Sequence, residues 1–288
     1  MISILIAIVT FSLMLMLFKY FERFKVNNLQ AIVFNYLTAG TLALLSSNYS
    51  GLDFQFLSIV KADYFPAALT IGFLFIITFN LLAYGTQKVG IAVTTVTNKM
   101  SMVIPVIIGV YLFNEQLQFL QLTGLILAIL AIYFSSTKKG KLEFDKKYLL
   151  IILFIFFGQG IADGVLNWAQ KTSIQSDNTA PFFASIFLIA GLLGGLYMVY
   201  DLFKSKAQFQ LKNIIWGMTL GVPNFLTLHF FIQALQNSTL QSAQIFPIVN
   251  MGIIIFSSVG GILLFKEKLS VSNWSGIVLA ILAIVLIM

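Results

Sequence analysis

The chain has 288 residues, of which 59% are hydrophobic and only 9% are charged, and its net charge is +7. A water-soluble domain carries about 25% charged residues, so the excess apolar surface of this chain must face lipid. With no Cys and one His, the sequence predicts no disulfide, no metal site and no cofactor, and it has none of the glycine-rich phosphate loops of nucleotide-binding proteins.

Ten apolar segments follow one another along the chain, each near the length of about 20 residues that crosses a bilayer as a helix. They cover residues 2–18, 29–47, 65–86, 91–113, 117–134, 148–170, 180–200, 213–235, 241–265 and 271–288. The sequence therefore predicts an all-α integral membrane protein with ten transmembrane helices. The longest predicted loop, 48–64, fits either a short helix on the membrane surface or an ordinary loop.

The basic residues are distributed unevenly between the two ends of these spans. Fourteen of the 17 Lys and Arg residues follow the first, third, fifth, seventh and ninth spans, two lie on the other side, and Lys99 lies inside a span. Basic loops stay in the cytoplasm, so this count places both termini outside and indicates a multi-pass protein of the plasma (inner) membrane. Short basic loops between apolar spans also argue against nucleic acid as a partner.

The second half of the chain repeats the first at an offset of 152 residues. Phe113-Asn114-Glu115-Gln116-Leu117 falls on Phe265-Lys266-Glu267-Lys268-Leu269, and 10 of 22 positions are identical between 113–134 and 265–286. We therefore predict a first five-helix repeat at 1–137, a basic inter-repeat loop at 138–147 and a second repeat at 148–288.

The repeat has a functional implication because five is an odd number. The second half must enter the membrane upside down relative to the first, and inverted repeats are a recurrent architecture of secondary transporters, with the substrate site near the midplane. Without nucleotide machinery of its own, such a transporter would use an ion gradient, with a proton as the candidate coupling ion, or a partner's ATPase.

Polar side chains recur at helical spacing inside several spans, where hydrocarbon makes them costly unless they face the bundle interior or water. The candidate substrate-binding residues are Asn80, Tyr84, Asn98, Lys99, Asp163, Asn167, His229, Gln233, Gln244 and Asn250. Together they predict a shared polar interior. The alternative is that they only form hydrogen bonds between helices.

Two of these residues, Lys99 and Asp163, carry a full charge at neutral pH and lie deep in their spans. Lys99 could hold a carboxylate or phosphate of the substrate, or its ammonium group could extend to the nearer interface. Asp163 could hold an ammonium group or carry the coupling proton, or act as a structural hydrogen-bond acceptor. Their predicted depths differ by about 10 Å at 1.5 Å per residue, so a direct salt bridge is not assumed.

Three prolines and two glycine pairs lie within the predicted spans. Pro105, Pro223 and Pro247 each remove a backbone donor and predict either a kink at a packing joint or a hinge. Gly191-x-x-x-Gly195 and Gly217-x-x-x-Gly221 permit close helix approach, either within a monomer or across a homodimer.

The repeated segments resemble the EamA-type branch of the drug/metabolite transporter superfamily. The resemblance is carried by a Pro, an apolar stretch, a Glu-containing turn and a Gly-initiated apolar helix, here Pro105…Phe113-Asn114-Glu115-Gln116-Leu117…Gly124 and Pro247…Phe265-Lys266-Glu267-Lys268-Leu269…Gly276. It implies ten helices, a central cavity, and export or exchange of small molecules. It also implies termini in the cytoplasm, opposite to the Lys and Arg count.

The function expected from these observations is secondary transport of small polar or zwitterionic metabolites such as amino acids. Drugs and nucleotide-sugar-like solutes are the alternative substrates. A channel or lipid scramblase and a non-transporting membrane scaffold are the alternatives from other classes. An enzyme is not expected, because one His, no Cys and one buried Asp offer little for catalysis.

Overall fold

The computed structural model describes residues 1–49, 60–113, 118–138, 141–142, 146–174, 178–205, 208–237 and 242–287. They form the helices α1 (Ile2–Arg23), α2 (Asn28–Tyr49), α3 (Phe65–Lys88), α4 (Ile91–Met100), α5 (Val103–Phe113), α6 (Phe119–Ser136), α7 (Leu149–Thr172), α8 (Thr179–Ser205), α9 (Leu211–Asn237), α10 (Ser242–Phe265) and α11 (Val271–Ile287). A two-residue antiparallel ladder joins β1 (Thr137–Lys138) to β2 (Lys141–Leu142). Residues 50–59 of the long predicted loop lie outside the described part.

The helices have the length and apolarity that a bilayer requires. Nine stretches of the described residues are helical, apolar and at least 18 residues long, with α4 and α5 counted together as Ile91–Leu112. The tenth, α11, is an apolar helix of 17 residues. Helices satisfy their backbone hydrogen bonds internally, as lipid demands. The prediction of an all-α membrane protein with ten spans is therefore confirmed.

The fourth span differs from its prediction as one continuous helix, because it is divided into α4 and α5 at Ser101 and Met102. Pro105 has no N–H to donate to the carbonyl of Ser101, four residues earlier, and its ring crowds that carbonyl. The Ser101 oxygen instead accepts a tighter bond from the N–H of Ile104, at 2.9 Å. The proline thus produces a break rather than a mild kink.

Helices α6 and α11 pack against each other through equivalent glycines. A Cβ at Gly124 would lie 3.0 Å from the backbone oxygen of Ala283, and one at Gly276 would lie 2.8 Å from the backbone oxygen of Ala131. Gly124 and Gly276 are 152 residues apart, and so are Ala131 and Ala283. These reciprocal contacts have the geometry of two repeats related by a two-fold axis, although the exact boundaries of the repeats stay a prediction.

Helix α2 is held between α8 and α9 by the two glycine pairs. Gly191 faces Leu37 of α2, while Gly217 and Gly221 face the backbone oxygens of Ala31 and Asn35, so that these three glycines allow close approach. Gly195 has more space, because a Cβ there would meet only Val33, at 3.9 Å. Both pairs thus face α2 within the chain.

The two ends of the bundle differ in character. We call the end at which α1, α3, α6, α8 and α10 finish the basic end, and the opposite one the terminal end. Hydrogen bonds join the turns at the basic end: the N–H of Asn27 donates to Asn213 at 3.1 Å, and the hydroxyl of Ser272 donates to the oxygen of Phe134 at 3.0 Å.

Candidate functional site

Helix α4 is enclosed by the other helices, whereas its continuation α5 is not. Nine of the ten residues of α4 are buried, and the exception is Lys99. On α5, Tyr111 is 82% exposed and Leu112 is 58% exposed. The fourth span is thus tightly packed on the basic side of its break and loosely packed on the terminal side.

Lys99 is the penultimate residue of α4 and points its ammonium group at an aromatic ring. Its Nζ lies 3.8 Å from the centre of the Phe11 ring of α1, a cation–π contact that partly replaces water around the charge. The side chain as a whole is half-buried. The ammonium therefore remains in the bundle interior, rather than reaching the nearer interface.

Asp163 lies on α7, against the same break. Its Oδ1 accepts a hydrogen bond of 2.8 Å from Nε2 of Gln159. The neighbouring Gly160 and Gly164 pack on Ser101 and Pro105, which places Asp163 level with position 104, about 7 Å along the axis from Lys99 at 1.5 Å per residue. The ion pairs of the described residues do not include these two.

The predicted asparagines lie on the helices around this break. Asn80 of α3 is half-buried and donates to the oxygen of Ile76 at 2.7 Å. Asn98 is 5% exposed, one residue before Lys99. Asn167 on α7 and Asn250 on α10 are half-buried. Their place in the substrate site therefore stays a prediction.

Tyr84 is placed elsewhere. Its ring packs on Tyr148, 6.0 Å away between centroids, and the residue is 38% exposed. Tyr148 precedes Asp163 by 15 residues, or about 22 Å of helix. The structure therefore does not bring Tyr84 together with the charged pair, since its position four residues before Lys88 sets it near the basic end.

His229 and Gln233 lie on α9 toward the terminal end. The imidazole of His229 packs between the rings of Phe225 and Phe230, with centroid distances of 5.5 and 5.3 Å. Gln233 accepts a hydrogen bond of 3.0 Å from the hydroxyl of Ser3. Both side chains are half-buried, so they border the terminal half of the interior.

The other two candidate hinges lie inside long helices. Pro223 lies inside α9, where its carbonyl oxygen accepts a hydrogen bond of 2.7 Å from the Thr227 hydroxyl. Pro247 lies within α10 (Ser242–Phe265), and the side chains of Pro247 and Gln244 fall outside the described part, as does Glu115. In these two helices the chain stays helical through the proline, unlike the fourth span.

We expect Pro105→Ala to keep or raise the melting temperature in detergent and to lower transport about tenfold. The restored N–H at position 105 can bond to Ser101 and remove a disruption that costs about 3 kcal/mol in an ordinary helix, but it also straightens the break beside Lys99. Uptake into liposomes measures the second effect. The control is Pro66→Ala, at the start of α3, where proline is tolerated. Wild-type transport by Pro105→Ala would show that the break has no role.

Two groups of residues were missed by the sequence analysis. Phe11 is one apolar residue among many on α1, and only its contact with Lys99 distinguishes it. The second is a cluster of Lys19, Glu22, Lys88 and Glu267, which we call the basic-end cluster. The sequence does mark Glu267, because the first repeat has a glutamate at the equivalent position. It does not reveal the contacts of the cluster, because they join residues that are distant in sequence.

An apolar groove of about 500 Å³ opens between α5 and α7. It is lined by Ile107, Tyr111, Gly164 and Trp168 among others, and Gly164 is next to Asp163 in sequence. Among the described residues, no group of three or more His, Asp and Glu side chains could hold a metal ion.

The fold is that of a multi-pass membrane protein, with polar side chains on the helices around the break in its fourth span. Residues 1–137 match the sequence model of the EamA-like transporter family, which confirms the resemblance. This part of the chain is thus similar to a family of membrane transporters in the drug/metabolite transporter superfamily. Transporters of that family act on small molecules in a lipid environment.

Two further proteins are similar to this chain. An uncharacterized protein of Haemophilus influenzae is 29% identical over 259 residues, which cover 88% of this chain and 86% of that protein. A solved crystal structure superimposes with a TM-score of 0.62 at 12% identity, covering 99% of this chain and 94% of that one. At that identity the second similarity supports the fold alone.

Proposed function

We propose that the protein is a secondary transporter of small polar or zwitterionic metabolites, such as amino acids, working by alternating access in the plasma (inner) membrane. Export or exchange is the proposed direction, and the basic end is proposed to face the cytoplasm, since basic loops are retained there. The polar residues around the helix break are the proposed substrate site.

The observation that carries this proposal is the pair of opposite charges at the break. Lys99 and Asp163 are both half-buried, lie about 7 Å apart along the axis and are not joined in an ion pair. A charge inside a membrane protein is costly and is retained for a function or a partner. A zwitterion between them would supply a carboxylate to Lys99 and an ammonium to Asp163.

The broken helix supports the same orientation of the substrate. α5 begins at Val103, and the N-terminus of a helix carries a partial positive charge. The N–H of Ile104 is already bonded to Ser101 and Pro105 has none, so the helix dipole is what this end offers to an anion. Broken helices use such ends to hold anionic groups of transported solutes. The carboxylate would therefore lie between Lys99 and the start of α5, while Asp163 and the amide of Gln159 take the amino group. Asp163 is also the proposed site of a coupling proton.

A ligand panel tests this function. The purified protein in detergent is heated with amino acids, sugars, nucleotides, phosphates and cationic drugs, and the melting temperature is followed against concentration. A ligand that binds only the folded state stabilises it by about 2.7 kcal/mol at one hundred times its Kd. We expect amino acids to raise the melting temperature of the wild type, and neither Lys99→Ala nor Asp163→Asn to respond.

The control for this panel is Lys61→Ala, which removes an exposed lysine and should respond like the wild type. If amino acids shift wild type and both charge variants equally, the substrate does not lie between these residues. If no compound shifts any variant, the proposed zwitterionic substrate is wrong.

A second candidate, transport of hydrophobic drugs, is favoured by the apolar groove between α5 and α7. An apolar solute dissolved in the bilayer could reach the break through this groove, since Gly164 lines it beside Asp163. In that case the cationic drugs of the panel would give the largest shift. Trp168→Ala, on the groove wall, would reduce that shift without affecting amino acids.

A further inference from the structure

Glu267 joins the second repeat to the start of α4. After α10 ends at Phe265, Lys266 adopts a left-handed conformation with φ of 55°, and the reversed chain directs the Glu267 carboxylate at the N–H of Ile91. Its two oxygens lie 3.1 and 3.2 Å from that nitrogen. A carboxylate at a helix N-terminus is stabilised by the free N–H groups and the helix dipole.

Two glycines leave room for this carboxylate. Gly90, with φ of +121°, precedes α4, and a Cβ there would lie 3.6 Å from Oε1 of Glu267. A Cβ at Gly261 of α10 would lie only 2.8 Å from Oε2. The carboxylate is thus held between the two repeats, in a space that a larger side chain at Gly261 would close.

Lys19 binds the C-terminal end of α3, the helix before α4, with a positive charge. Its Nζ donates to the carbonyl oxygens of Thr86 and Gln87 in the last turn of α3, at 3.1 Å each. It also lies 3.8 Å from Oε1 of Glu267. A cation at the C-terminal end of one helix and an anion at the N-terminal end of the next both complement the helix dipoles, and here the two charges also attract each other.

The remaining pair of the basic-end cluster ties α1 to α3. Lys88 donates to Glu22 at 2.6 Å, and both side chains are more than a third exposed. Exposed ion pairs contribute little individually. The cluster nevertheless connects α1, the turn between α3 and α4, and the turn after α10 at one end of the bundle.

Between this cluster and Lys99 lie buried hydroxyl groups without a hydrogen-bond partner in the protein. They belong to Ser12 of α1, Thr94 and Thr97 of α4, and Ser258 of α10. Along their helices, each lies on the basic side of the contact between Lys99 and Phe11. Buried polar groups are nearly always paired, so these four hydroxyls would gain hydrogen-bond partners if water reached them in another conformation.

We propose that the basic-end cluster is the gate of the transport path, closed in this structure. In this arrangement, Glu267 and Lys19 hold the start of α4 against α1, α3 and α10. The transport path runs from the gate toward the break, past the buried hydroxyls, to Lys99. Opening at the basic end separates Glu267 from the N–H of Ile91 and exposes those hydroxyls to water. This inference rests on the proposed alternating access, but not on the identity of the substrate.

Thiol labelling tests the gate, and the absence of native Cys makes each introduced thiol unique. Thr97→Cys is placed in wild-type, Glu267→Gln and Lys19→Met backgrounds, and a membrane-impermeant methanethiosulfonate is applied from each side of vesicles. We expect slow labelling in the wild type, and at least tenfold faster labelling from the basic end in both gate variants. Lys268→Gln is the matched control, because Lys268 is exposed and in none of the ion pairs of the described residues.

A charge exchange distinguishes gating from loss of folding. Glu22→Lys should speed the labelling of Thr97→Cys, and the addition of Lys88→Glu should slow it again, since the pair is restored with reversed sign. Ser258→Cys should follow the same pattern. If labelling from the basic end is no faster in Glu267→Gln and Lys19→Met than in Lys268→Gln, the cluster is not a gate. Because no substrate is used, that failure is separate from a failure of the ligand panel.

Discussion

Replacing Gly276 with alanine is expected to lower the melting temperature of the purified protein, whereas Gly195→Ala should preserve or raise it. The methyl group at position 276 would overlap the backbone nitrogen of Ser135 and lie 2.7 Å from its Cα. A backbone has no rotamer to change, so α6 and α11 would have to separate. Overpacking of this kind costs about 1–3 kcal/mol, more than the gain of up to about 1 kcal/mol from alanine in a helix.

Gly195 is a suitable control because its new Cβ would meet only a methyl group of Val33, at 3.9 Å. Only the higher helix propensity of alanine then affects the melting temperature of Gly195→Ala. Gly124→Ala should behave like Gly276→Ala, since its Cβ would lie 3.0 Å from the backbone nitrogen of Ile287. Equal melting temperatures for the three variants would contradict the packing of α6 against α11.

Lys99→Met should reduce transport of carboxylate-bearing substrates by at least about 30-fold. In the proposed complex, Lys99 pairs with the carboxylate of the substrate. Removing one partner of such a buried charge pair typically costs about 2–5 kcal/mol of binding free energy, and each 1.4 kcal/mol is a factor of ten. Methionine approximates the length of the lysine stem, so packing against Phe11 is largely retained while the charge is lost. The measurement is uptake into liposomes of the compound that gave the largest shift in melting temperature in the ligand panel.

Two comparisons show whether the loss comes from the charge. Lys99→Arg keeps the cation and should retain more transport than Lys99→Met. An amine lacking the carboxylate should be affected by Asp163→Asn but not by Lys99→Met. If both substitutions reduce the transport of both kinds of compound equally, Lys99 and Asp163 act through the structure of the site and not through contacts with opposite ends of a substrate.

The spans were predictable because lipid leaves few options: an apolar run of about 20 residues in a bilayer is a helix. The break at Ser101 and Met102 was harder to predict, since Pro223 and Pro247 also lie in spans and their helices continue. What differs is the local environment. Gly160 of α7 approaches the Ser101 carbonyl, so that a Cβ there would lie 2.8 Å from it, and no local pattern reveals that approach.

In the candidate site, residues that their local sequence marks were predictable, whereas contacts between distant residues were not. Lys99 and Asp163 were detectable because a charge within an apolar run is rare, and helix periodicity gave their depths. The contacts of Phe11 and Glu267 were not detectable, because both bind residues more than 80 positions away in the chain. The repeat marked Glu267 as a recurring residue without identifying the N–H that it accepts.

The pairing of α6 with α11 also has a consequence for biosynthesis. Gly124 contacts Ile287, 163 residues later, so one face of α6 has no partner until α11 has been made. That delay has little energetic cost, because α6 has a mean hydropathy of 1.9 and lipid tails are as favourable to its apolar face as a neighbouring helix. The first repeat can therefore remain in the bilayer until α11 is synthesised and completes the contact.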